Sequence, residues 1–289
     1  MTDLATNKGT GQSRAPHLAA PAEVHPPNLL VASGVIVRRN LIHIKRMPEL
    51  LLDVTIQPIM FVLLFAFVFG GSIDVPGTSS YREFLVPGIM AQTMVFSSFI
   101  VALGLVNDLE KGIVDRLRSL PISRAAVLVG RSVSSLIHSS IGITVMALTG
   151  VLIGWRVRDG ILNGAAGFVL MLAFGFSMIW VGIWVGSLMR SPEAVNGFMF
   201  TVMFPLTFVA NTFAPTSGMP SWLRLLADWN PVSALTQGTR ELWGNGRPAA
   251  ADAAWPLQHA APVTLAWAVL ITAVFAPLAL AAFRRRASD

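Results

Sequence analysis

Six stretches of at least 20 residues contain no Asp, Glu, Lys or Arg, and they limit more than any other feature what the chain can fold into. They cover residues 54–73, 84–107, 132–155, 160–189, 194–223 and 253–283. A helix needs about 20 apolar residues to cross the hydrocarbon core of a bilayer, whereas buried helices of soluble proteins are shorter. Charged residues make up only 12% of the chain, against about 25% in an average soluble domain. The sequence therefore predicts an all-α, polytopic membrane protein and excludes a soluble enzyme or a nucleic-acid-binding protein.

The charge-free stretches and the turn residues between them predict six transmembrane helices. We expect the spans at about residues 50–70, 84–106, 125–154, 163–188, 195–213 and 262–283. Residues 1–28 are rich in Pro and Ala and lack an apolar run, which predicts a disordered cytoplasmic tail before a transmembrane domain over residues 29–289. Between the tail and the first span, residues 30–47 separate apolar from basic side chains at helical spacing. This pattern favours an amphipathic helix in the cytoplasmic interface over a short basic loop.

The distribution of Lys and Arg predicts the orientation in the cell membrane. With a cytoplasmic N-terminus and six spans, 15 of the 21 basic residues fall in the inside segments. The other six are balanced by acidic residues in the outside segments, so the whole net charge of +6 lies inside. Short cytoplasmic loops of membrane proteins carry such an excess of Lys and Arg. We therefore expect both termini in the cytoplasm.

The segment 214–260 is neither clearly membranous nor clearly soluble. Trp222, Trp229 and Trp243 recur among Leu residues in short amphipathic runs. Trp rings prefer the interface between lipid and water, so short helices lying in the outer interface are one interpretation. A re-entrant hairpin that dips into the membrane is the other, and the pattern favours it over a loop in solution.

A search for catalytic motifs finds little. Lys8, Lys45 and Lys111 are the only lysines and none belongs to a P-loop, so the chain has no ATP site of its own, and the pattern predicts no directly bound cofactor or metal. Cys is absent and the five histidines do not cluster at metal-ligand spacing. Only His138 lies inside a predicted span, among four serines; a proton relay or substrate contact is one interpretation, and a hydrogen bond between packed helices is the more common one.

Apolar residues recur at helical spacing after the second span. The stripe consists of Val106, Leu109, Ile113, Leu117 and Leu120, with charged residues largely around the rest of the helix. An amphipathic helix at the cytoplasmic end of a span offers a surface for a partner protein. From the pattern alone, an ordinary solvated helix between two spans is equally compatible.

Three blocks of residues resemble the type-2 ABC exporter permeases, and their order and spacing are similar to the daunorubicin-resistance branch of that family. The first block is Glu110-x-Gly112, followed by Leu117, Leu120-Pro121, Arg124 and Arg131. The second is Tyr81-x-x-Phe84-Leu85-x-Pro87-Gly88 leading to Gln92, and the third is Met219-Pro220-x-Trp222-Leu223 followed by Asn230-Pro231 and Arg240. The likeness covers roughly residues 30–285.

The resemblance implies that transport and ATP binding belong to different subunits. In such exporters two permease subunits, identical or homologous, pair in the bilayer, and separate P-loop ATPase subunits bind ATP and Mg beneath them. The element after the second span couples the two parts, which assigns that role here to Glu110, Gly112, Ile113, Leu117, Leu120 and Pro121. A coupling element needs an apolar anchor and a fixed end, which Ile113 with Leu117 and Pro121 supply.

The expected function is export of a hydrophobic or amphipathic, drug-like compound. A path for such a compound is lined by apolar and aromatic side chains, and Phe96, Phe204 and His138 are candidates by residue type. An exporter of a lipid or a lipid-linked glycan has the same architecture and stays open. An intramembrane enzyme that uses His138 or Asp53 is a remote alternative, because neither has a paired base, nucleophile or metal at readable spacing. An ion channel is disfavoured because the spans carry almost no charge.

Overall fold

The structure is a computed structural model that describes residues 34, 37, 38, 42, 49–68, 80–112 and 124–286. The predicted tail over residues 1–28 lies outside these residues. Of the predicted interfacial helix, Gly34, Val37, Arg38 and Ile42 are helical, and the rest of that prediction lies outside the described part.

All regular structure in the described residues is helical. In the described ranges from residue 49 to residue 286, nine α-helices follow one another, with one 3-10 turn at Thr216–Gly218 before the sixth. They are α1 (Glu49–Val68), α2 (Tyr81–Glu110), α3 (Arg124–Leu152), α4 (Gly160–Leu188), α5 (Pro192–Phe208), α6 (Ser221–Asp228), α7 (Pro231–Trp243), α8 (Trp255–Gln258) and α9 (Ala260–Arg286).

Two helices form the centre of the bundle. Helix α2 packs against α1, α3, α4, α5 and α7, and α4 packs most extensively against α2 and α9. In the most apolar 18 residues of α2 and α4, 67% and 61% are buried, against 28% for α3 and 11% for α9. The outer faces of α3 and α9 present apolar side chains such as Leu148 and Val269 to the surroundings. Such faces suit a helix surrounded by lipid.

Four of the described helices are long and apolar enough to cross a membrane. They are α2, α3, α4 and α9, judged by length and composition. The described apolar part of α1, Ile59–Val68, is shorter, and α5 has 17 residues. A helix nevertheless lies at each of the six ranges that the sequence predicts as spans, with ends that differ by a few residues.

Helix α2 begins three residues before the predicted start at residue 84. Ser80 caps it, because its side chain accepts a hydrogen bond from the backbone N–H of Arg82 at 3.3 Å. Pro87 therefore lies inside the helix, whereas a start at residue 84 would place it in the first turn. A proline there cannot donate to the carbonyl four residues earlier, so the hydrogen-bond ladder of α2 is interrupted near this position.

Helix α5 begins three residues before the predicted start at residue 195 and ends earlier than predicted. Ser191 caps it and Pro192 occupies its first turn. Its last residue is Phe208, whereas the charge-free stretch predicts a span to residue 213. The stop follows from a side chain that the charge pattern does not reveal: Asn230 Nδ2 donates to the carbonyls of Leu206 at 2.7 Å and Val209 at 2.6 Å. These bonds satisfy carbonyls that a continuing helix would otherwise pair.

Small residues let the two central helices approach closely. A Cβ on Gly182 would overlap the backbone carbonyl of Ser98, and one on Gly186 would lie 2.7 Å from the carbonyl oxygen of Ala102. Gly150 of α3 also packs against α2, where a Cβ would lie 3.0 Å from the Val86 side chain. The Gly182-x-x-x-Gly186 pair therefore serves contact within the bundle.

We expect Gly182→Ala to destabilise the bundle, because the atom that its methyl group meets belongs to the backbone of α2 and cannot rotate away. Overpacking of this kind costs about 1–3 kcal/mol. Thermal unfolding of the detergent-solubilised protein, followed by size-exclusion chromatography, measures the loss. Gly197→Ala is the matched control, since it lies in a helix with open space around the added methyl group. Equal unfolding temperatures for the two variants would contradict the close packing of α2 against α4.

Candidate functional site

Helix α7 is positioned by strong local signals at both ends. Asn230 caps its start by accepting a hydrogen bond from Val232 N at 2.8 Å, and Pro231 occupies its first turn. Gly244 ends it in a left-handed conformation with φ 66°, which glycine adopts without a steric penalty. The helix then packs against α2, α4 and α9. Residues after α5 thus return into the bundle as a short, well-capped helix.

Arg240 is the buried cation of this helix, with only 1% of its surface exposed. Its Nε donates to the carbonyl of Phe84 at 2.9 Å, and its Nη2 donates to the carbonyl of Thr212 at 3.1 Å. The guanidinium carbon also lies 3.4 Å from the centre of the Phe84 ring. A cation over an aromatic face is stabilised by the ring quadrupole, and more so when water is excluded. Arg240 therefore joins α7, α2 and the turn after α5.

The same turn is held by further residues of α2. The Tyr81 hydroxyl donates to the carbonyl of Phe213 at 3.0 Å. Gly88 lies so close to the carbonyl of Thr212 that a Cβ would overlap it. We call the group formed by Tyr81, Phe84, Gly88, Thr212, Phe213 and Arg240 the Arg240 junction. Two of the three sequence blocks, which are more than 120 residues apart in the chain, meet in it.

The segment 214–260 divides into a buried and an outward-facing part. Helix α7 packs among the long helices, whereas α6 exposes Trp222, Leu225, Leu226 and Trp229 along one face, each more than half exposed. The opposite face of α6 is held by Asp228, which accepts a hydrogen bond from Thr216 Oγ1 at 2.7 Å. An exposed face of Trp and Leu suits the boundary of a bilayer. The re-entrant placement of the segment stays a prediction.

An ion pair fastens the loop after α3 to the same end of α2. Arg158 Nε donates to Glu83 Oε1 at 3.0 Å, and its Nη2 contacts the same oxygen. This carboxylate raises the pKa of Arg158 above its usual value, through the hydrogen bond first and the charge second. Trp155 in the loop is buried and donates to Asn245 Oδ1 at 2.7 Å. The loop 153–159 and the end of α7 are therefore fixed to each other.

Eight phenylalanine rings form a second feature of the molecule, along α5 and the helices beside it. The rings of Phe200, Phe204 and Phe208 are four residues apart and stack at 5.1 and 5.4 Å between centres. The stack continues from Phe208 through Phe213 to Phe65 and Phe61. Helix α2 adds Phe99 beside Phe200, at the other end, and Phe96 beside Phe204, in the middle. We call these eight rings the aromatic column. Residues spaced by four lie on one face of a helix, so the sequence of α5 presents its three rings together.

The column brings together two of the predicted substrate-path residues. The rings of Phe96 and Phe204 meet edge to face, 5.5 Å between centres. The column is open on one side, since Phe200 and Phe208 are 55% and 42% exposed. Offset and edge-to-face contacts with planar rings are the interactions that such a surface offers. Sequence analysis missed Phe65 and Phe213, which no local pattern connects to α5.

His138, the third predicted path residue, lies half-buried on α3, outside the aromatic column. Its place in a substrate path stays a prediction. The side chain of Asp53 lies outside the described part of the chain. Within the described ranges, no group of three or more His, Asp and Glu side chains is arranged to hold a metal ion.

The predicted coupling segment is described only at its beginning. Glu110 is the last residue of α2 and is exposed, and Lys111 caps the helix by donating to the carbonyl of Asn107 at 3.1 Å. Gly112 follows with φ 64°, the left-handed conformation that commonly ends helices. Ile113, Leu117, Leu120 and Pro121 lie outside the described residues.

This end corrects one part of the sequence interpretation. The stripe from Val106 to Leu120 was predicted to lie along one helix, but Val106 and Leu109 belong to α2, which ends at Glu110 before Ile113. The reason is Gly112: its left-handed backbone turns the chain out of the helix axis. The Glu110-x-Gly112 pair is therefore a helix C-terminus, and the other residues of the stripe, Ile113, Leu117 and Leu120, lie outside the described residues.

Comparison with known proteins places the chain among transport proteins. Residues 32–242 match the family described as ABC-2 type transporter. The daunorubicin resistance ABC transporter permease protein DrrB1 of Streptomyces coeruleorubidus is 28% identical over 290 residues, which cover 98% of this chain and 99% of that protein.

Two further relatives carry similar names. The probable multidrug ABC transporter permease YbhR of Escherichia coli K12 is 26% identical over 71% of this chain, and the match spans 53% of YbhR, about half its length. The probable doxorubicin resistance ABC transporter permease protein DrrC of Mycobacterium tuberculosis H37Rv is 25% identical over 62% of this chain and 64% of that protein.

We expect Arg240→Met to destabilise the protein, because two backbone carbonyls lose their charged donor in a buried place. A hydrogen bond to a charged group contributes about 1.5–3 kcal/mol, so the unfolding temperature in detergent should fall clearly. Arg247→Met is the matched control, since Arg247 follows α7 and is exposed. An unchanged unfolding temperature for Arg240→Met would contradict the role assigned to the junction.

Proposed function

The chain belongs to the ABC-2 type transporter family, and on this basis we propose that it is the permease subunit of an ATP-driven exporter of hydrophobic or amphipathic, drug-like compounds. The names of its relatives, which refer to daunorubicin, doxorubicin and multidrug resistance, support this substrate class. The observation that carries the proposal is the aromatic column, because stacked rings with an open side suit planar apolar compounds.

The proposal includes a partner that binds ATP. The sequence holds no P-loop, so a separate P-loop ATPase subunit supplies ATP and Mg and contacts the segment that begins at Glu110. In this arrangement Glu110 and Gly112 set the start of the contact, Ile113, Leu117 and Leu120 anchor it, and Pro121 ends it. The exposed carboxylate of Glu110 at the end of α2 supports such a contact.

A second permease and a defined topology complete the proposed assembly. The open side of the column leaves large apolar rings exposed, and a second copy of the chain or a homologous permease would cover them in the bilayer. We assign six spans, with α1 and α5 added to the four longer helices, and both termini to the cytoplasm. The excess of basic residues in the proposed inside segments supports this orientation.

Export of a lipid or a lipid-linked glycan is the second candidate of the same architecture. The exposed Trp and Leu face of α6 favours it, because such a face suits the bilayer boundary, from which a lipid would be taken or into which it would be released. A drug exporter should respond to many apolar compounds, whereas a dedicated exporter should respond to one.

We expect a P-loop ATPase to co-purify with the tagged protein in mild detergent from its own membranes. Glu110→Lys should lower its recovery about tenfold, because a charged contact of about 1.4 kcal/mol changes a binding constant by that factor. Mass spectrometry and an ATP hydrolysis assay of the purified complex measure the recovery.

Glu193→Lys is the matched control for this experiment. Glu193 is also exposed and lies in the first turn of α5, at the same end of the bundle. A preparation without any ATPase would overturn the proposed function. If Glu193→Lys and Glu110→Lys lower the recovery of the ATPase equally, the chain still binds an ATPase, but Glu110 has no special role in that contact.

We expect Phe204→Ala to weaken the response to planar aromatic compounds, because Phe204 contacts Phe96, Phe200 and Phe208 in the column. An aromatic pair contributes about 0.5–1.5 kcal/mol, so the concentration for half-maximal ATPase stimulation should rise by roughly two- to tenfold. The response to an aliphatic amphiphile should change less. Phe176→Ala is the control, since its ring pairs with Trp180 outside the column. Equal effects on both compounds would exclude the column from the substrate path.

A further inference from the structure

An ion pair joins the two helices that flank the predicted coupling segment. Arg131 Nη1 lies 2.5 Å from Asp108 Oδ2, and this contact joins the last turn of α2 to the beginning of α3. The two side chains are 16% and 31% exposed, so water screens them only partly. A partly buried pair of a guanidinium and a carboxylate holds its geometry better than a pair in open solution.

Helix α2 is shaped to receive this arginine. A Cβ on Gly104 would lie 2.6 Å from Arg131 Nη2, so glycine provides the space in which the guanidinium lies across the helix. The same Nη2 donates to the carbonyl of Val101 at 3.3 Å. Val101, Gly104 and Asp108 are spaced by three and four residues and so lie on one face of α2. The Val101 carbonyl, the space beside Gly104 and the Asp108 carboxylate together accommodate the Arg131 side chain.

The position of this pair matters for a segment that transmits motion. Helix α2 ends at Glu110 and α3 begins at Arg124, so Asp108 lies in the last turn of α2 and Arg131 about two turns after the start of α3. Ends of helices fray readily, and a force on the connection would unwind the last turn of α2 if nothing held it. A contact that fixes both helices to each other passes the force into the bundle, where α2 packs against α4.

We propose that Asp108 and Arg131 are positioning residues that hold the two ends of the coupling segment together, so that its displacement by the ATPase moves α2 and α3 as one body. This inference rests on the proposed function and assigns a residue pair to its coupling step. Neither residue needs to touch the ATPase or the transported compound. Loss of the Asp108–Arg131 pair should weaken the effect that the bound compound has on ATP hydrolysis. Binding of the ATPase and binding of the compound should both be retained.

The chain offers a matched ion pair at the opposite end of the bundle. Arg158 contacts Glu83 in the first turn of α2, also as an arginine with a carboxylate, but far from the coupling segment. Arg158→Gln therefore removes a comparable charge contact without touching the proposed transmission. Gly104→Ala supplies an independent variant, since it displaces the guanidinium and keeps both charged groups. Gly197→Ala is its control, with open space around the added methyl group.

The test uses the co-purified complex of permease and ATPase in lipid nanodiscs. Basal ATPase activity, activity stimulated by a planar aromatic compound, recovery of the complex and unfolding temperature are measured for Asp108→Asn, Arg131→Gln, their double variant and Gly104→Ala. We expect the stimulation to fall at least about fivefold, the lower end of the usual range for coupling between sites, with basal activity and recovery retained. The double variant should be no worse than either single variant, because both remove the same contact. Arg158→Gln and Gly197→Ala should keep the stimulation.

The outcomes separate this inference from the function on which it rests. If no ATPase co-purifies with the wild-type protein, the proposed function and the positioning role are both wrong. If the wild-type complex is stimulated and Asp108→Asn and Gly104→Ala are stimulated equally well, the positioning role is wrong and the exporter stands. If these variants lose basal activity, stimulation and unfolding temperature together, and Arg158→Gln does the same, the pair only stabilises the fold and the positioning role is again wrong.

Discussion

A chain surrounded by lipid must satisfy its backbone polar groups with partners of its own, and the structure depends on how the turn after α5 meets this requirement. Helices satisfy most of their own hydrogen bonds, but residues 209–213 are not helical. Side chains from distant segments provide the donors instead: Asn230 donates to carbonyls at the end of α5, Tyr81 to Phe213 and Arg240 to Thr212. Because these donors lie on α2 and around α7, satisfying the turn also fixes how the helices pack.

Helix α2 connects three features of the molecule: the Arg240 junction, the aromatic column and the ion pair beside the predicted coupling segment. Its first turns form the Arg240 junction, its middle carries Phe96 and Phe99 of the aromatic column, and its last turns hold the Asp108–Arg131 pair. Contacts with glycines of α4 prevent it from shifting sideways. A rigid helix that reaches from the coupling segment to the column is a direct physical route by which an event at one end affects the other.

The sequence predicted the helices well, because long charge-free stretches report directly on burial in lipid. The sequence predicted the ends of the helices less well, because these depend on single residues. Asn230, which follows α6, binds a carbonyl at the end of α5. Gly112 turns the chain after the end of α2, within the apolar stripe predicted from the sequence. Phe96 and Phe204 contact each other, which residue type alone did not predict, and their place in a substrate path stays a prediction. Contacts such as Asp108 with Arg131 join residues 23 positions apart, and no local periodicity encodes them. The Arg240 junction is a further example. Its two sequence blocks could each be recognised in the sequence, but the contact between them could not be predicted.

The order of residues in the Arg240 junction bears on how the protein is made. Burying a charged side chain without partners is costly, so Arg240 needs its acceptors in place when it becomes buried. Both carbonyls that receive Arg240 belong to earlier residues, Phe84 and Thr212, and so does the ring beneath its guanidinium. The residues that make these three contacts are therefore all synthesised before Arg240. The contacts of the junction do not involve α9, which follows Arg240 in the chain and packs against α7.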